Sequence, residues 1–119
     1  QKMKIIVAGT RFFNDYNFLK KKLDYYFKNL SLEDIEIVSG KAKGADTLGE
    51  LYANENNIKI IEFPADWEKF GKKAGYIRNE EMAKYSDSCI VFWDGKSKGT
   101  KHMIELAKKY NLNLKIVKY

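Results

Sequence analysis

Short apolar runs alternate with longer amphipathic stretches along the whole chain. Lys4–Ala8 and Ser88–Trp93 are nearly continuous apolar segments, and Ile35–Val38, Ile58–Phe63 and Leu112–Val117 read similarly. Runs of this length predict strands, the most apolar of them buried on both faces. Between them, apolar residues recur at helical spacing. The first such stretch carries Tyr16, Leu19, Leu23, Tyr26 and Leu30, with Asn14 or Asp15 as N-cap. The second carries Leu48, Leu51, Tyr52 and Glu55 and stops near Asn56-Asn57. A third runs from Ala74 to Tyr85, and a fourth, beginning at Lys101, has Met103, Leu106, Ala107 and Tyr110 on its apolar face. Ala65–Lys73, which follows the lone proline Pro64, is expected to be irregular.

Five strands alternating with four helices imply βαβ units, hence an α/β fold. The expected architecture is a three-layer sandwich: a five-stranded, mainly parallel sheet with helices on both faces. Covering both faces requires the winding to reverse, and ligands in such sheets bind outside the carboxyl ends of the strands at that reversal. In the order 3-2-1-4-5, the loops after strands one, two and four meet in one crevice. Each contains glycine with small polar residues: Gly9-Thr10-Arg11, Ser39 to Asp46, and Asp94 to Thr100.

Composition narrows the class. The 119 residues suit one domain with one core, counted from Met3 with Gln1 and Lys2 set aside. No apolar run approaches the roughly 20 residues of a membrane helix, and no N-terminal signal pattern is present. The single cysteine, Cys89, lies in an apolar run and reads as a small buried hydrophobe. A cytoplasmic, reducing setting is the expectation, with no membrane partner. The net charge of +6 favours an anionic ligand or partner. Lysine outnumbers arginine 20 to 2, which singles out Arg11 and Arg78, since arginine offers a planar fork suited to phosphate or carboxylate.

The stretch from Asp94 to Thr100 joins an apolar strand to a helix, an arrangement that holds phosphate on backbone N–H groups and a helix N-terminus. Its glycines, Gly95 and Gly99, do not make a Walker A loop, and neither Gly9 nor Gly40 begins a G-x-G-x-x-G. An ATPase or an ordinary NAD dehydrogenase is therefore disfavoured. Gly75, Arg78, Met82 and Tyr85 share one helix face, so Arg78 sits beside the sheet and requires an anion: a ligand, or Asp66 or Asp46. Asp46 reads either as a cap of the second helix or as a ligand group. Lys41, Lys43, Lys72, Lys73, Lys96, Lys98 and Lys101 crowd the loop side. Trp93 reads as core, while Trp67 is open to stacking on a base. His102 has no companions at metal or triad spacing, so no metal site is expected.

Together these motifs resemble one family. They are Gly9-Thr10-Arg11-x-Phe13, Ser39-Gly40-x-Ala42-x-Gly44-Ala45-Asp46, Phe63-Pro64-Ala65-Asp66-Trp67, Ala74-Gly75-x-x-Arg78-Asn79-x-x-Met82 and Trp93-Asp94-Gly95-x-Ser97-x-Gly99-Thr100-x-His102-Met103-Ile104. The pattern is similar to the YspA-type branch of the SLOG superfamily, whose name joins the Smf/DprA and LOG proteins, and it covers Lys4 to Val117. The resemblance implies a Rossmann-like fold that binds nucleotides or nucleotide-derived ligands. LOG phosphoribohydrolases cleave the base from nucleoside monophosphates, and DprA binds single-stranded DNA. Against the LOG loop Gly-Gly-x-Gly-Thr-x-x-Glu, the glutamate position falls on Met103, and Glu105 is turned roughly 200° away. Arg78-Asn79 resembles the LOG Arg-Lys pair, which implies a ligand-orienting role.

Three functions follow as expectations. The first is binding of a nucleotide or nucleotide-derived, phosphate-bearing small molecule, as a sensor or processing domain. The ligand groups would be Gly9, Thr10, Arg11, Ser39, Gly40, Lys41, Gly44, Asp46, Asp66, Trp67, Arg78, Asn79, Gly95, Ser97, Gly99 and Thr100. The second is hydrolysis of an N-glycosidic or phosphate bond, with Asp46, Asp66 or Asp94 as general base. The third is single-stranded nucleic-acid binding through lysines and stacking aromatics. No cofactor is expected beyond the nucleotide-type ligand, and the resemblance allows a homodimer.

Overall fold

The computed structural model describes residues 2–119. Five parallel strands form one sheet: β1 Met3–Gly9, β2 Ile35–Ser39, β3 Lys59–Glu62, β4 Ser88–Trp93 and β5 Asn113–Lys118. Their order is β3-β2-β1-β4-β5, the expected 3-2-1-4-5, with the reversal between β1 and β4. There Ile5 to Gly9 pair in register with Ser88 to Phe92.

Successive strand residues point to opposite faces, and the core divides accordingly. Ile5, Val7, Ile90 and Phe92 point into one layer, which is covered by α1 (Tyr16–Phe27) and α2 (Ala45–Glu55). Ile6, Ala8, Cys89 and Val91 point into the other, which is covered by α4 (Ala74–Tyr85) and α5 (Lys98–Lys109). Side-chain bonds tie each helix pair: Tyr52 to Asp24 at 2.7 Å across α1 and α2, and Tyr110 to Glu80 at 2.6 Å at the α4–α5 pair. Among the described residues no helix is long and apolar enough to cross a membrane.

Four details depart from the sequence-based expectations. The Ala65–Lys73 stretch is not irregular throughout. Asp66 accepts a bond from the Lys69 amide at 3.1 Å and caps a short helix α3 (Trp67–Phe70), which continues into a 3-10 turn at Gly71–Lys73. Helix α1 ends at Phe27, which fills the last core position, so Leu30 lies outside the helix. On α2, Leu51 is exposed, because the buried face runs through Ala45, Gly49, Tyr52 and Ala53. Gly49 lets that face press on β1: a Cβ there would stand 2.8 Å from a Val7 methyl. Finally, α5 begins at Lys98 rather than Lys101, so Gly99 and Thr100 are helical rather than loop residues.

Candidate functional site

Over the β1–β4 reversal the carboxyl edge of the sheet opens into a cleft of about 690 Å³. Gly9 and Arg11 enter it from the loop after β1, Gly40 to Lys43 from the loop after β2, and Trp67 from α3. Ser97, Gly99 and Thr100 come from the start of α5, and Gly75, Tyr76, Arg78 and Asn79 of α4 close the remaining side. All three expected loops thus reach one crevice, and the segment after β3 joins them.

Asp46 lies in the floor. It is buried at 4% exposure in the first turn of α2, but it does not cap that helix: the N-cap is Gly44. Burial pushes the Asp46 carboxyl up to about 7, while the Arg78 charge and the N–H groups of Ala42, Gly40 and Gly9 pull it the other way. A carboxyl in that range exchanges its proton near neutral pH. Gly44 is required where it stands, because its φ of 80° suits glycine and a Cβ would collide with the Thr10 and Arg11 backbone.

Arg78 reaches across Gly40, with Asp46 on the same side: a Cβ on Gly40 would lie 2.9 Å from the Arg78 Nη1 and 3.0 Å from an Asp46 oxygen. Its Nη1 donates to the Gly40 carbonyl and its Nε to Asn79 Oδ1 at 3.0 Å. Among the described residues it makes no ion pair with Asp46 or Asp66. Asn79 in turn lies with Nδ2 3.3 Å from His102 Nδ1. Because Oδ1 already accepts from Arg78, Nδ2 donates, and His102 Nδ1 must accept as the neutral Nε2–H tautomer. Burial lowers the His102 pKa, in keeping with that neutral form.

The first turn of α5 supplies the opposite wall. Ser97 is its N-cap, with Oγ accepting from the Thr100 amide at 3.4 Å. This leaves the Lys98 and Gly99 N–H groups without helix partners. A Cβ on Gly99 would meet nothing within 4 Å, and its backbone angle is not one that demands glycine. Nothing inside the protein therefore requires glycine at this position.

Eleven of the sixteen residues proposed from sequence as ligand groups line the cleft: Gly9, Arg11, Gly40, Lys41, Asp46, Trp67, Arg78, Asn79, Ser97, Gly99 and Thr100. Thr10, Ser39, Gly44, Asp66 and Gly95 lie outside its lining. The Thr10 Oγ1 accepts the Asp94 amide at 3.2 Å, and Ser39 Oγ bonds Glu50 at 2.6 Å. Asp94 lies outside the cleft as well. Its Oδ1 accepts the Lys96 and Ser97 amides at 2.8 Å each, and those bonds hold its pKa below the usual range. Of the three acids named as general bases, Asp46 alone faces the cleft. Lys41 is at the rim, but its ammonium is held by Glu50 at 3.0 Å and Glu62 at 2.9 Å. Arg11, Lys43 and Lys72 make no ion pair among the described residues. Met103 is buried in the cleft wall, and Glu105 is exposed elsewhere.

Sequence reasoning passed over Tyr76, which lines the cleft, is 49% exposed and meets the His102 ring edge to face at 4.6 Å. Its signal was an exposed aromatic in the first turn of a helix that opens at the carboxyl edge.

Comparison with known proteins gives the family and the fold. Residues 3–70 match the profile of the family described as "YspA, cpYpsA-related SLOG family". The Gene 61 protein of Mycobacterium phage D29 is 32% identical over 112 residues, covering 89% of each chain. DNA processing protein A (DprA) from Streptococcus pneumoniae superposes with a TM-score of 0.75 at 21% identity over 97% of this chain. Its counterpart from Helicobacter pylori, studied for a unique single-stranded DNA binding mode, gives 0.69 at 23% identity over 96%. The chain spans 50% and 64% of those two structures, and at these identities the likeness is one of fold.

Proposed function

The chain belongs to the YspA, cpYpsA-related SLOG family, and from that premise we propose that its cleft binds a nucleotide unit. The phosphate would lie between Arg78 and the first turn of α5, a sugar hydroxyl would donate to Asp46, and the base would stack toward Trp67 and Tyr76. One observation carries this reading. Among the described residues Arg78 is a half-buried cation bonded only to neutral groups, and the acid beside it, Asp46, has its pKa raised by burial to about 7. A guanidinium so placed calls for an outside anion. Gly99, open to the cleft and unneeded by the fold, leaves room for that anion to reach backbone N–H groups.

The unit could be a free nucleotide-derived molecule or one residue of a single strand. The single-stranded DNA binding mode of the Helicobacter pylori protein lends more weight to the strand than any relative lends to the free molecule. A processing role is a further reading. Asp46 could take a proton from water at neutral pH, and it would be the general base, because no acid occupies the Met103 position.

Thermal shift against mononucleotides, ADP-ribose, NAD derivatives, cyclic dinucleotides and short oligonucleotides separates these cases. Ligand at 100-fold its Kd should stabilise the fold by about 2.7 kcal/mol, and Arg78→Ala should remove that gain while remaining folded. Oligonucleotides that bind more tightly than their mononucleotides assign the strand, and mononucleotides that gain nothing from the polymer assign the free molecule, after which chromatography of products decides turnover. No response from either class would end the proposal.

A further inference from the structure

A second cavity of about 400 Å³ lies on the other side of the β1–α1 loop. Phe13 and Phe18 form its floor, and Phe13 stacks on the core ring of Phe92 at 5.2 Å. Phe12 and Tyr119 stand at its sides, with Asn14 and Lys118 as polar groups. Asp15 also lines it, but that carboxylate is engaged as the α1 cap, accepting the Phe18 amide at 3.1 Å.

Phe12 is 91% exposed, so its ring does nothing for the core. It is not an isolated case of surface apolarity. Of the six exposed aromatic side chains among the described residues, Phe12, Trp67, Phe70, Tyr76 and Tyr119 are at the carboxyl edge of the sheet, and Tyr25 lies toward the opposite end. Two of those rings line the nucleotide cleft and two line this cavity. Arg11 lines the cleft and the next residue, Phe12, lines the cavity, so a cation and a ring stand at consecutive positions. Alternation of rings with Arg11 and Lys118 matches a strand in which bases alternate with phosphates. A second protein chain would not call for that alternation of cations and flat rings.

We infer that the Phe12–Tyr119 cavity is a stacking subsite for a nucleobase of single-stranded nucleic acid whose neighbouring nucleotide occupies the cleft. Phe12 supplies the stacking face, Asn14 an amide for the base edge, and Arg11 and Lys118 the charge for the flanking phosphates. The inference rests on the nucleotide reading of the cleft and extends it to a polymer.

The test is fluorescence anisotropy with a labelled short oligothymidylate, and with oligouridylate alongside, on wild type, Phe12→Ala and Phe12→Trp. Binding of 5′-dTMP is followed in parallel. Base stacking contributes about 1–3 kcal/mol, so Phe12→Ala should weaken oligonucleotide binding about 5- to 150-fold. Phe12→Trp should restore it, and dTMP binding to the cleft should not change. Because the ring is exposed, the alanine variant should melt with the wild type. Unchanged oligonucleotide affinity in Phe12→Ala overturns the subsite while leaving the cleft reading intact. An equal loss for dTMP and oligonucleotide also overturns it, since Phe12 would then act on the cleft. Self-association in sedimentation velocity that Phe12→Ala abolishes, with oligonucleotide affinity unmoved, would assign the cavity to a second copy of the chain. If wild type binds neither probe, the subsite fails, and the cleft reading fails with it only if the wider nucleotide panel also leaves the melt unmoved.

Discussion

Substituting Gly99 by alanine should move stability and binding in opposite directions. Gly99 is the second residue of α5, helical in conformation, and its missing Cβ would meet nothing within 4 Å. Glycine inside a helix is roughly 0.5–1 kcal/mol less favourable than alanine, and a first-turn position should recover about the lower figure. For a chain of this size that corresponds to a melting temperature about 2 °C higher. If a phosphate lies against the Gly99 N–H, the new methyl stands in its approach and loosens a charge-assisted hydrogen bond. Such bonds contribute about 1.5–3 kcal/mol, so affinity for the bound nucleotide or oligonucleotide should fall about 10- to 150-fold. Differential scanning fluorimetry without ligand reads the first effect, and titration calorimetry with it reads the second. A variant that melts lower would show that the fold itself needs Gly99. A variant that binds like wild type would show that no ligand approaches there. Either result refutes the reasoning.

Other predictions concern the cleft's charges and its scaffold. Burial holds the Asp46 carboxyl at about 7, against an ordinary value of 3.8. Between those values the native state binds more protons than the unfolded one, so wild type should lose stability as pH rises through this window, by at most about 4 kcal/mol. Asp46→Asn should flatten that dependence in melts from pH 4 to 8, and an unchanged slope would contradict the burial argument. Long-range nitrogen NMR at pH 7 should show His102 with a bare Nδ1 and a protonated Nε2; the opposite tautomer would mean that the Asn79 amide is turned and Arg78 Nε unbonded. Gly44→Ala meets both a positive φ and the Thr10 and Arg11 backbone. It should cost more than about 2 kcal/mol in denaturant unfolding, whereas Gly95→Ala, which meets no neighbouring atom, should cost less.

The sheet was legible because its strands announce themselves. Buried on both faces, Ile5–Ala8 and Cys89–Phe92 leave no polar interruption, and once five such runs alternate with helices, few strand orders remain. The limits of the elements were less legible. In sequence Asp66 reads as a ligand group, and its bond from the Lys69 amide emerges only in the fold, because an aspartate before a tryptophan carries both meanings. Asp46 reads in sequence as a cap or a ligand group for the converse reason. Only the fold reveals that its carboxyl turns toward the Gly9, Gly40 and Ala42 amides, which come from two loops about 30 residues apart along the chain. Lys41 could be seen to flank the cleft, yet its partners Glu50 and Glu62 lie 9 and 21 residues away, so its neutralisation was invisible. The second cavity left no trace in the motifs beyond Phe13. It joins residues from opposite ends of the chain, Phe12 with Lys118 and Tyr119.

The central claim, a nucleotide unit held at the carboxyl edge between Arg78 and α5, is tested most directly by amide chemical-shift mapping. Titration of the isotope-labelled protein with a mononucleotide and with a short oligonucleotide should move the Gly9, Gly40, Arg78, Gly99 and Thr100 amides together with the Trp67 indole signal. The Tyr25 and Leu30 amides, toward the opposite edge, should stay in place. Saturating shifts confined to that opposite edge, or none with either ligand, would contradict it.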